Sequence, residues 1–205
     1  MARKKKRDRI LRIATILFAS KGIRNTKIED ITNELGVAKG GLYYYFKSKD
    51  DLLNQIIEDS IKSRKEFLTD VIESSLSFEE KLKKIIFRRL ELKDDRYNLF
   101  LFGKIYENGE MFLTKDDYMK KDQFLDSILD ANKDKIKDEY IDSLELIKPL
   151  IVTGITKMLV LLIDKTNIKV TDEKSYEKML EVYSKMDIEK ECQLLFDIFF
   201  KNILK

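Results

Sequence analysis

Residues 26–53 read TKIEDITNELGVAKGGLYYYFKSKDDLL. The stretch contains a short apolar-periodic segment, a turn with glycine, and a second segment that begins with two adjacent glycines and three consecutive tyrosines. Thr26 followed by Glu29 is typical of an N-cap with a capping box, and Gly36 is typical of a helix end. Two short helices joined by a tight turn that contains glycine predict a helix-turn-helix.

A helical wheel of the tyrosine-rich segment, at about 100° per residue, separates its aromatic residues into two groups. Leu42 and Phe46 fall on one face with Tyr45 at its edge, whereas Tyr43 and Tyr44 fall on the other side. Each of the two glycines costs about 1 kcal/mol of helix propensity relative to alanine. We therefore predict a recognition helix whose glycines let nucleic acid approach its backbone. The alternative is a glycine loop followed by a half-buried aromatic cluster.

The flanking sequence predicts one helix before this motif and a long one after it. Apolar residues from Ile10 to Phe18 recur on one helical face, and Gly22 ends the run. The basic run MARKKKRDR ahead of Ile10 has no apolar periodicity, so it is predicted to be a flexible arm. After the motif, Ser48 is predicted to cap a long connecting helix, with Asp51 at the capping-box position.

The composition favours an all-α chain. Its 205 residues include one proline and seven glycines, and 43% are hydrophobic. Further helical patterns cover residues 78–93, 95–107, 115–131, 139–164 and 187–204, and Pro149 is predicted to kink or split the fourth of these. We expect residues 1–66 to form a three-helix domain with the start of the connecting helix, and residues 67–205 to form a helical C-terminal domain.

The charges are divided unevenly along the chain. Residues 1–49 contain 13 Lys and Arg against 4 Asp and Glu, whereas the remainder contains 27 against 33. A basic head on an acidic body favours a polyanion-binding module joined to a part with another role.

Residue usage also limits the chemistry. The chain has no histidine and a single cysteine, which excludes an intrachain disulfide and the usual histidine-based zinc and acid–base sites. No metal or cofactor site is predicted. The longest apolar stretch, residues 150–163, is interrupted by Lys157 and is shorter than a bilayer span, so a cytoplasmic protein without a membrane partner is expected.

Two C-terminal segments, residues 150–163 and 188–204, are apolar on more than one helical side. Such helices must bury both sides, which predicts a four-helix homodimer interface, with a deep monomer core as the alternative. The predicted interface residues are Ile151, Gly154, Ile155, Met158, Cys192, Leu195, Phe196 and Phe199. Between these segments and the head, an aromatic-rich middle is compatible with an apolar effector pocket or with plain core, and its candidate residues are Phe100, Tyr106, Phe112, Tyr118 and Phe124.

As one stretch, residues 26–53 resemble the signature of the tetracycline-repressor-like (TetR) family of bacterial regulators. The shared features are a Thr-capped helix, a Gly-Val turn, a Lys-Gly start to the recognition helix, a Leu-Tyr-x-Tyr-Phe segment and a Lys-x-x-Leu entry to the next helix. The resemblance implies an N-terminal DNA-binding domain, a helical effector-binding domain and a homodimer on palindromic double-stranded DNA. It implies DNA contacts from Thr26, Lys27, Ala38, Lys39, Gly40, Gly41, Tyr43, Tyr44 and Lys49.

This chain also departs from the family pattern. Ala38 stands where serine is usual, and Gly41 stands where a polar residue is common, so direct base readout is expected to be sparse and shape readout favoured. We expect a ligand-responsive transcriptional repressor released by a small apolar or amphipathic effector, and not an enzyme. The alternatives are a non-specific architectural DNA-binding protein and an enzyme, and the latter lacks a phosphate-cradling loop and a metal-ligand cluster.

Overall fold

The computed structural model describes residues 2–91 and 123–205, with side chains for residues 4–91 and 125–205. Within these ranges the predicted all-α architecture is confirmed, and the sole β pairing is an isolated antiparallel bridge between Ile136 and Leu204. A 3₁₀ turn lies at Lys133–Lys135. The helices are α1 (Ala2–Lys21), α2 (Ile28–Leu35), α3 (Lys39–Tyr43), α4 (Lys49–Glu73), α5 (Phe78–Leu90), α6 (Gln123–Asp130), α7 (Asp138–Ile141), α8 (Leu144–Asp164), α9 (Glu173–Tyr183) and α10 (Ile188–Phe199).

The described residues form two compact units. The first contains residues 2–63 and 163–185, and the second contains residues 64–91, 123–162 and 186–205. The predicted domain boundary after residue 66 falls in α4, close to the point where the chain leaves the first unit. The assignment of separate functions to residues 1–66 and 67–205 stays a prediction.

In the first unit, α1 begins at Ala2, so the prediction of a flexible basic arm up to Ile10 was wrong. Lysine and arginine are good helix formers, and periodicity alone does not detect a helix whose outer turns are solvated. Arg7 also holds the start of α1 against α4, because its guanidinium donates to Asp59 at 3.1 Å and to Gln55 at 2.8 Å. The same guanidinium lies 5.8 Å from the centre of the Phe46 ring.

The start of α2 lies one residue later than predicted. Lys27 is the N-cap in extended conformation, and the Asp30 carboxylate accepts from its backbone N–H at 2.8 Å. This hydrogen bond, together with one from Lys21, holds the pKa of Asp30 below its usual value. The Thr26 hydroxyl instead donates to the carbonyls of Gly22 at 2.8 Å and Leu17 at 3.1 Å, and thereby closes the α1–α2 turn.

The long connecting helix is confirmed as α4, which spans 25 residues. Ser48 caps it as predicted, because its hydroxyl accepts from the N–H of Asp51 at 3.0 Å. The Asp51 carboxylate reaches the N–H of Lys47 at 2.7 Å, one residue before the position expected for a capping box. These bonds define where the recognition segment ends and α4 begins.

Helix α9 was not predicted. Asp172 accepts from the N–H of Ser175 at 2.8 Å, and the Ser175 hydroxyl accepts from the N–H of Asp172, so the helix begins with a reciprocal cap. Its buried side chains are Tyr176, Met179 and Tyr183. Helix α9 packs on α1 within the first unit.

Charged groups also tie α9 to the helix-turn-helix. Arg12 of α1 donates to Glu177 at 3.1 Å and lies 3.7 Å from a carboxylate oxygen of Glu173. Glu34 of α2 accepts from the backbone N–H of Glu173 at 3.1 Å. A segment from the C-terminal half of the sequence therefore belongs to the N-terminal unit.

In the second unit, α8 runs uninterrupted through Pro149, and the break in the predicted 139–164 helix falls instead at residues 142–143. Pro149 lies in the second turn, where its missing N–H removes only the bond to the Glu145 backbone. Helix α10 is capped by Asp187, which accepts from the N–H of Lys190 at 3.0 Å. It ends at Phe199, and the chain then pairs with residues 135–137 through a 2.8 Å bond from Lys137 N–H to the Ile203 carbonyl.

A buried lysine links α6 and α8. The Lys148 side chain is 6% exposed, and its ammonium lies 2.8 Å from Glu145, 3.3 Å from Asp130 and 3.6 Å from Asp126. Burial acts to lower the pKa of Lys148, but the three carboxylates outweigh it and raise the pKa above its usual value. The cluster is a satisfied structural network, since a buried charge needs such partners.

Helix α8 is, by length and composition, the one helix in the described part of the chain that could cross a membrane. Its 21 residues exceed the 14-residue stretch on which the sequence prediction rested. Core helices of soluble proteins share this property, and one third of its most apolar window is buried in the fold. The predicted absence of a membrane partner therefore stays a prediction.

Candidate nucleic-acid interface

The outward face of α3 carries the tyrosines that the helical wheel placed there. Tyr43 is 50% exposed and Tyr44 is 64% exposed, whereas Leu42 and Phe46 are buried. Tyr45 is half-buried and meets the Tyr44 ring edge-on at 5.0 Å between centroids. The predicted division of the three tyrosines is confirmed, and two phenolic groups project into solvent.

The fold itself does not require the glycines of α3. A Cβ added at Gly40 would meet nothing within 4 Å, and one added at Gly41 would make an ordinary 3.8 Å contact with Val37. Neither glycine has a left-handed backbone, in contrast to Gly36, whose φ of +67° ends α2. Gly40 and Gly41 therefore weaken α3 without a packing reason inside this chain.

The cations near α3 have different surroundings. Lys27 is exposed at the start of α2, and Lys39 is exposed at the start of α3, where it forms an ion pair with Glu29. Lys49 is half-buried, and its ammonium donates to the carbonyls of Ile23 at 2.9 Å and Thr26 at 3.2 Å. A phosphate contact from Lys49 stays a prediction, and in this structure the residue holds the α1–α2 turn.

The predicted phosphate contact of Thr26 stays a prediction, and in this structure the residue closes the α1–α2 turn. Thr26 is fully buried, and its hydroxyl is committed to two backbone carbonyls. The sequence prediction placed the N-cap one residue too early, and the residue that occupies the exposed cap is Lys27. Of the remaining predicted contacts, Ala38 and Gly40 are exposed and Gly41 is half-buried.

Sequence reasoning missed the ion pair between Glu29 and Lys39. Its signal was present, because a helix-turn-helix brings the first turn of the second helix beside the start of the third. It also missed the contact between the Arg7 guanidinium and the Phe46 ring. Both contacts join sequence segments whose patterns were interpreted separately.

The predicted dimer residues lie mostly inside the second unit. Ile151, Ile155, Cys192, Leu195 and Phe196 are buried, and Met158 and Phe199 are half-buried. Gly154 does permit a close helix approach as predicted, since an added Cβ would overlap the Phe199 ring of the same chain. Whether these residues also contribute to a dimer stays a prediction.

Cys192 has a structural environment. Its thiol donates to the Lys83 carbonyl at 3.3 Å, and burial raises its pKa to about 11. The predicted pocket residues Phe100, Tyr106, Phe112 and Tyr118 lie outside the described residues. The side chain of Phe124 does too, although its backbone belongs to α6.

The three-helix head, its exposed α3 face and its basic charge define a protein of the helix-turn-helix class. Residues 10–56 match the family model described as "Bacterial regulatory proteins, tetR family". These residues therefore form an N-terminal domain of the TetR type.

Named relatives are similar over part of the chain. HTH-type transcriptional repressor KstR2 of Mycolicibacterium smegmatis is 27% identical over 92 residues, which cover 45% of each protein. The uncharacterized HTH-type transcriptional regulator YhgD of Bacillus subtilis is 30% identical over 130 residues, which cover 63% of this chain and 66% of YhgD. The matches thus span less than two thirds of either relative. Both relatives are described as transcriptional regulators and not as enzymes.

The similarity in fold extends over nearly the whole chain. A protein from Saccharomonospora viridis, described as a transcriptional regulator and crystallised in complex with choline, superposes with a TM-score of 0.66. The superposition covers 98% of this chain and 99% of the other at 19% identity. At this identity the comparison establishes the fold alone.

Proposed function

We propose that this chain is a DNA-binding transcriptional repressor. The observation that carries the proposal is the outward face of α3, where two exposed tyrosines stand beside glycines that the fold does not need. Without side chains at positions 40 and 41, the helix backbone can lie deep in a major groove, and the phenols can donate to phosphate or base edges. The repressor relative KstR2 supports the direction of regulation.

The repressor acts as a homodimer on a palindromic operator. Exposed apolar side chains follow one line on α8 and one on α10, namely Leu146, Leu150 and Leu161 on the first and Leu194 and Ile198 on the second. Exposed apolar side chains on two adjacent helices support an interaction surface, and Gly154 against Phe199 shows that the two helices are neighbours. A second copy of the chain occupies this surface. To read two half-sites, the two recognition helices of such a dimer must lie about 34–36 Å apart, or a multiple of that distance.

A small apolar or amphipathic effector releases the repressor from DNA. The fold neighbour that was crystallised in complex with choline supports the binding of a small molecule by this chain. Effector binding shifts α4, which leads directly from the Ser48 cap into the second unit, and so changes the spacing of the two heads.

The test is selection of duplexes from a randomised library, followed by affinity measurements against salt. We expect enrichment of a palindrome, and we expect Lys27→Ala to flatten the slope of log affinity against log salt by roughly one unit. Equal affinity for the enriched duplex and a scrambled one would favour a non-specific architectural protein instead. The deletion of α3 should abolish binding, whereas an enzymatic role would leave some turnover independent of it.

A further inference from the structure

The side chains of Glu29 and Lys39 form an ion pair at the surface of the helix-turn-helix. Glu29 lies in the first turn of α2, and Lys39 is the first residue of α3. Their side chains are 52% and 56% exposed, so both charged groups reach solvent on the side of the motif that carries the recognition helix.

The cap of α2 does not require Glu29. The neighbouring Asp30 provides the cap of α2 and pairs with Lys21 at 3.2 Å. The Glu29 carboxylate is instead directed across the turn to Lys39. The hydrogen bond from Lys39 lowers the pKa of Glu29, and the same bond raises the pKa of Lys39, so both groups are ionised at neutral pH.

A carboxylate at a DNA-binding face lowers the affinity for DNA, because it repels phosphate. Its presence at this face therefore calls for an explanation. The pair presents a donor and an acceptor side by side. The major-groove edge of a G·C base pair presents the complementary set, with acceptors at guanine N7 and O6 and a donor at the cytosine N4 amino group. The positions next to Lys39, namely Ala38, Gly40 and Gly41, have no polar side chain that could read a base.

We propose that Glu29 and Lys39 together read one G·C base pair in each half-site. Lys39 donates to guanine N7 and O6, and Glu29 accepts from the cytosine N4 amino group. The ion pair orders both side chains before DNA arrives, so less rotamer freedom is lost on binding. The inference rests on the proposed function, since it names a base pair within the operator of a sequence-specific protein.

The experiment begins with selection of an operator by the wild-type chain. Each base pair of a half-site is then replaced in turn, and the affinities of wild type, Glu29→Gln, Glu29→Ala and Lys39→Met are measured. At one G·C pair we expect wild type to prefer the selected duplex by roughly five- to hundredfold over the A·T replacement. We expect Glu29→Ala to lose roughly fivefold or more of that preference at this pair alone, and Glu29→Gln to lose less because its amide oxygen can still accept from cytosine N4.

The readout is the preference and not the affinity, because removal of a carboxylate strengthens binding to any DNA. Glu79→Gln is the matched control, since Glu79 is an exposed first-turn glutamate that pairs with Lys83 at 2.7 Å in the second unit. Circular dichroism melting confirms that each variant folds.

Two outcomes would overturn the inference in distinguishable ways. If wild type enriches no sequence, the proposed function fails and the inference fails with it. If an operator is enriched but the Glu29 variants tighten binding by the same factor on every duplex, the proposed function is retained. Glu29 then only repels DNA and has no part in base readout.

Discussion

Gly36 and Gly40 lie four residues apart and serve opposite purposes. Gly36 has a φ of +67°, a conformation that costs other residues about 1–2 kcal/mol. Gly40 is helical and faces open space, so its lack of a side chain does not help this chain to fold. The difference separates a glycine that the fold requires from one that it does not require.

The substitution Gly40→Ala is therefore expected to stabilise the protein and weaken operator binding. The free energy of unfolding should rise by about 0.5–1 kcal/mol, because alanine is the better helix former. Gly36→Ala should lower it by about 1–2 kcal/mol. Urea unfolding and fluorescence anisotropy with the selected operator measure the two effects. Unchanged operator affinity in Gly40→Ala would contradict the close approach of α3 to DNA.

The Asp30 cap predicts a pH dependence of stability. Since the folded protein holds the pKa of Asp30 below its usual 3.8, the contribution is complete well above pH 3.8 and is lost as the pH falls through the folded value. Asp30→Ala should lower the free energy of unfolding by about 1 kcal/mol at pH 7, and the gap from wild type should narrow as the pH falls below 3.8. A gap that stayed constant over this range would show that Asp30 stabilises α2 without its charge.

At the scale of single residues, the sequence predicted that α2 begins with a capping motif but did not predict which residues form it. A capping motif at the start of α2 was expected, but Thr26 and Glu29 were chosen where Lys27 and Asp30 are found. Sequence spacing fits both pairs equally well. Only the tertiary bonds of Thr26 to the end of α1 decide between them.

Helix α9 joins the head through Arg12, Glu34 and Glu173. Arg12→Ala should weaken this attachment by about 1 kcal/mol, because a partly buried arginine that bridges two carboxylates contributes more than a single surface pair. Hydrogen exchange should then become faster in residues 173–183.

Lys185→Ala is the control for α9. Lys185 lies two residues beyond the end of this helix and pairs with Glu181 at 3.1 Å, and both side chains are exposed. This substitution should leave exchange in α9 nearly unchanged. Equal acceleration in both variants would show that the α1–α9 contact has no special role.

The sequence contained the signal for α9, although the prediction missed it. Tyr176, Met179 and Tyr183 recur at helical spacing, and Asp172 with Ser175 forms the starting cap. The opposite error occurred in α1, where a run of charges was interpreted as an arm. In both places solvated charges masked a helix, because periodicity reports the buried face and charged residues dilute it.

At the scale of the whole molecule, the exposed leucines of α8 lead to a prediction about the oligomeric state. Leu150→Glu should convert the proposed homodimer to a monomer, because a charge in an apolar interface would be buried without a partner. Ile72→Glu is the control, since Ile72 is an exposed apolar residue of α4 outside that surface. Sedimentation equilibrium measures the mass. A Leu150→Glu protein that stayed dimeric would show that the dimer interface lies elsewhere.

The sequence predicted which helices are rich in apolar surface but not which side faces inward. Ile151 and Ile155 were expected at the interface and are buried in the protomer, whereas Leu150 is exposed. A helix that is apolar on two sides offers two equivalent choices. The choice is made by the neighbours in space, such as Phe199 over Gly154, which no local pattern reveals.

The most direct test of the account is the ratio of affinities for the selected palindrome and a scrambled duplex, measured for wild type and Tyr44→Ala at one salt concentration. Tyr44 is the most exposed aromatic residue of the recognition segment, and its removal should not disturb the fold. The account predicts a wild-type ratio of roughly a thousandfold or more, with a clear fall in Tyr44→Ala. A wild-type ratio near one, or a ratio that Tyr44→Ala leaves unchanged, would contradict sequence recognition by the outward face of α3.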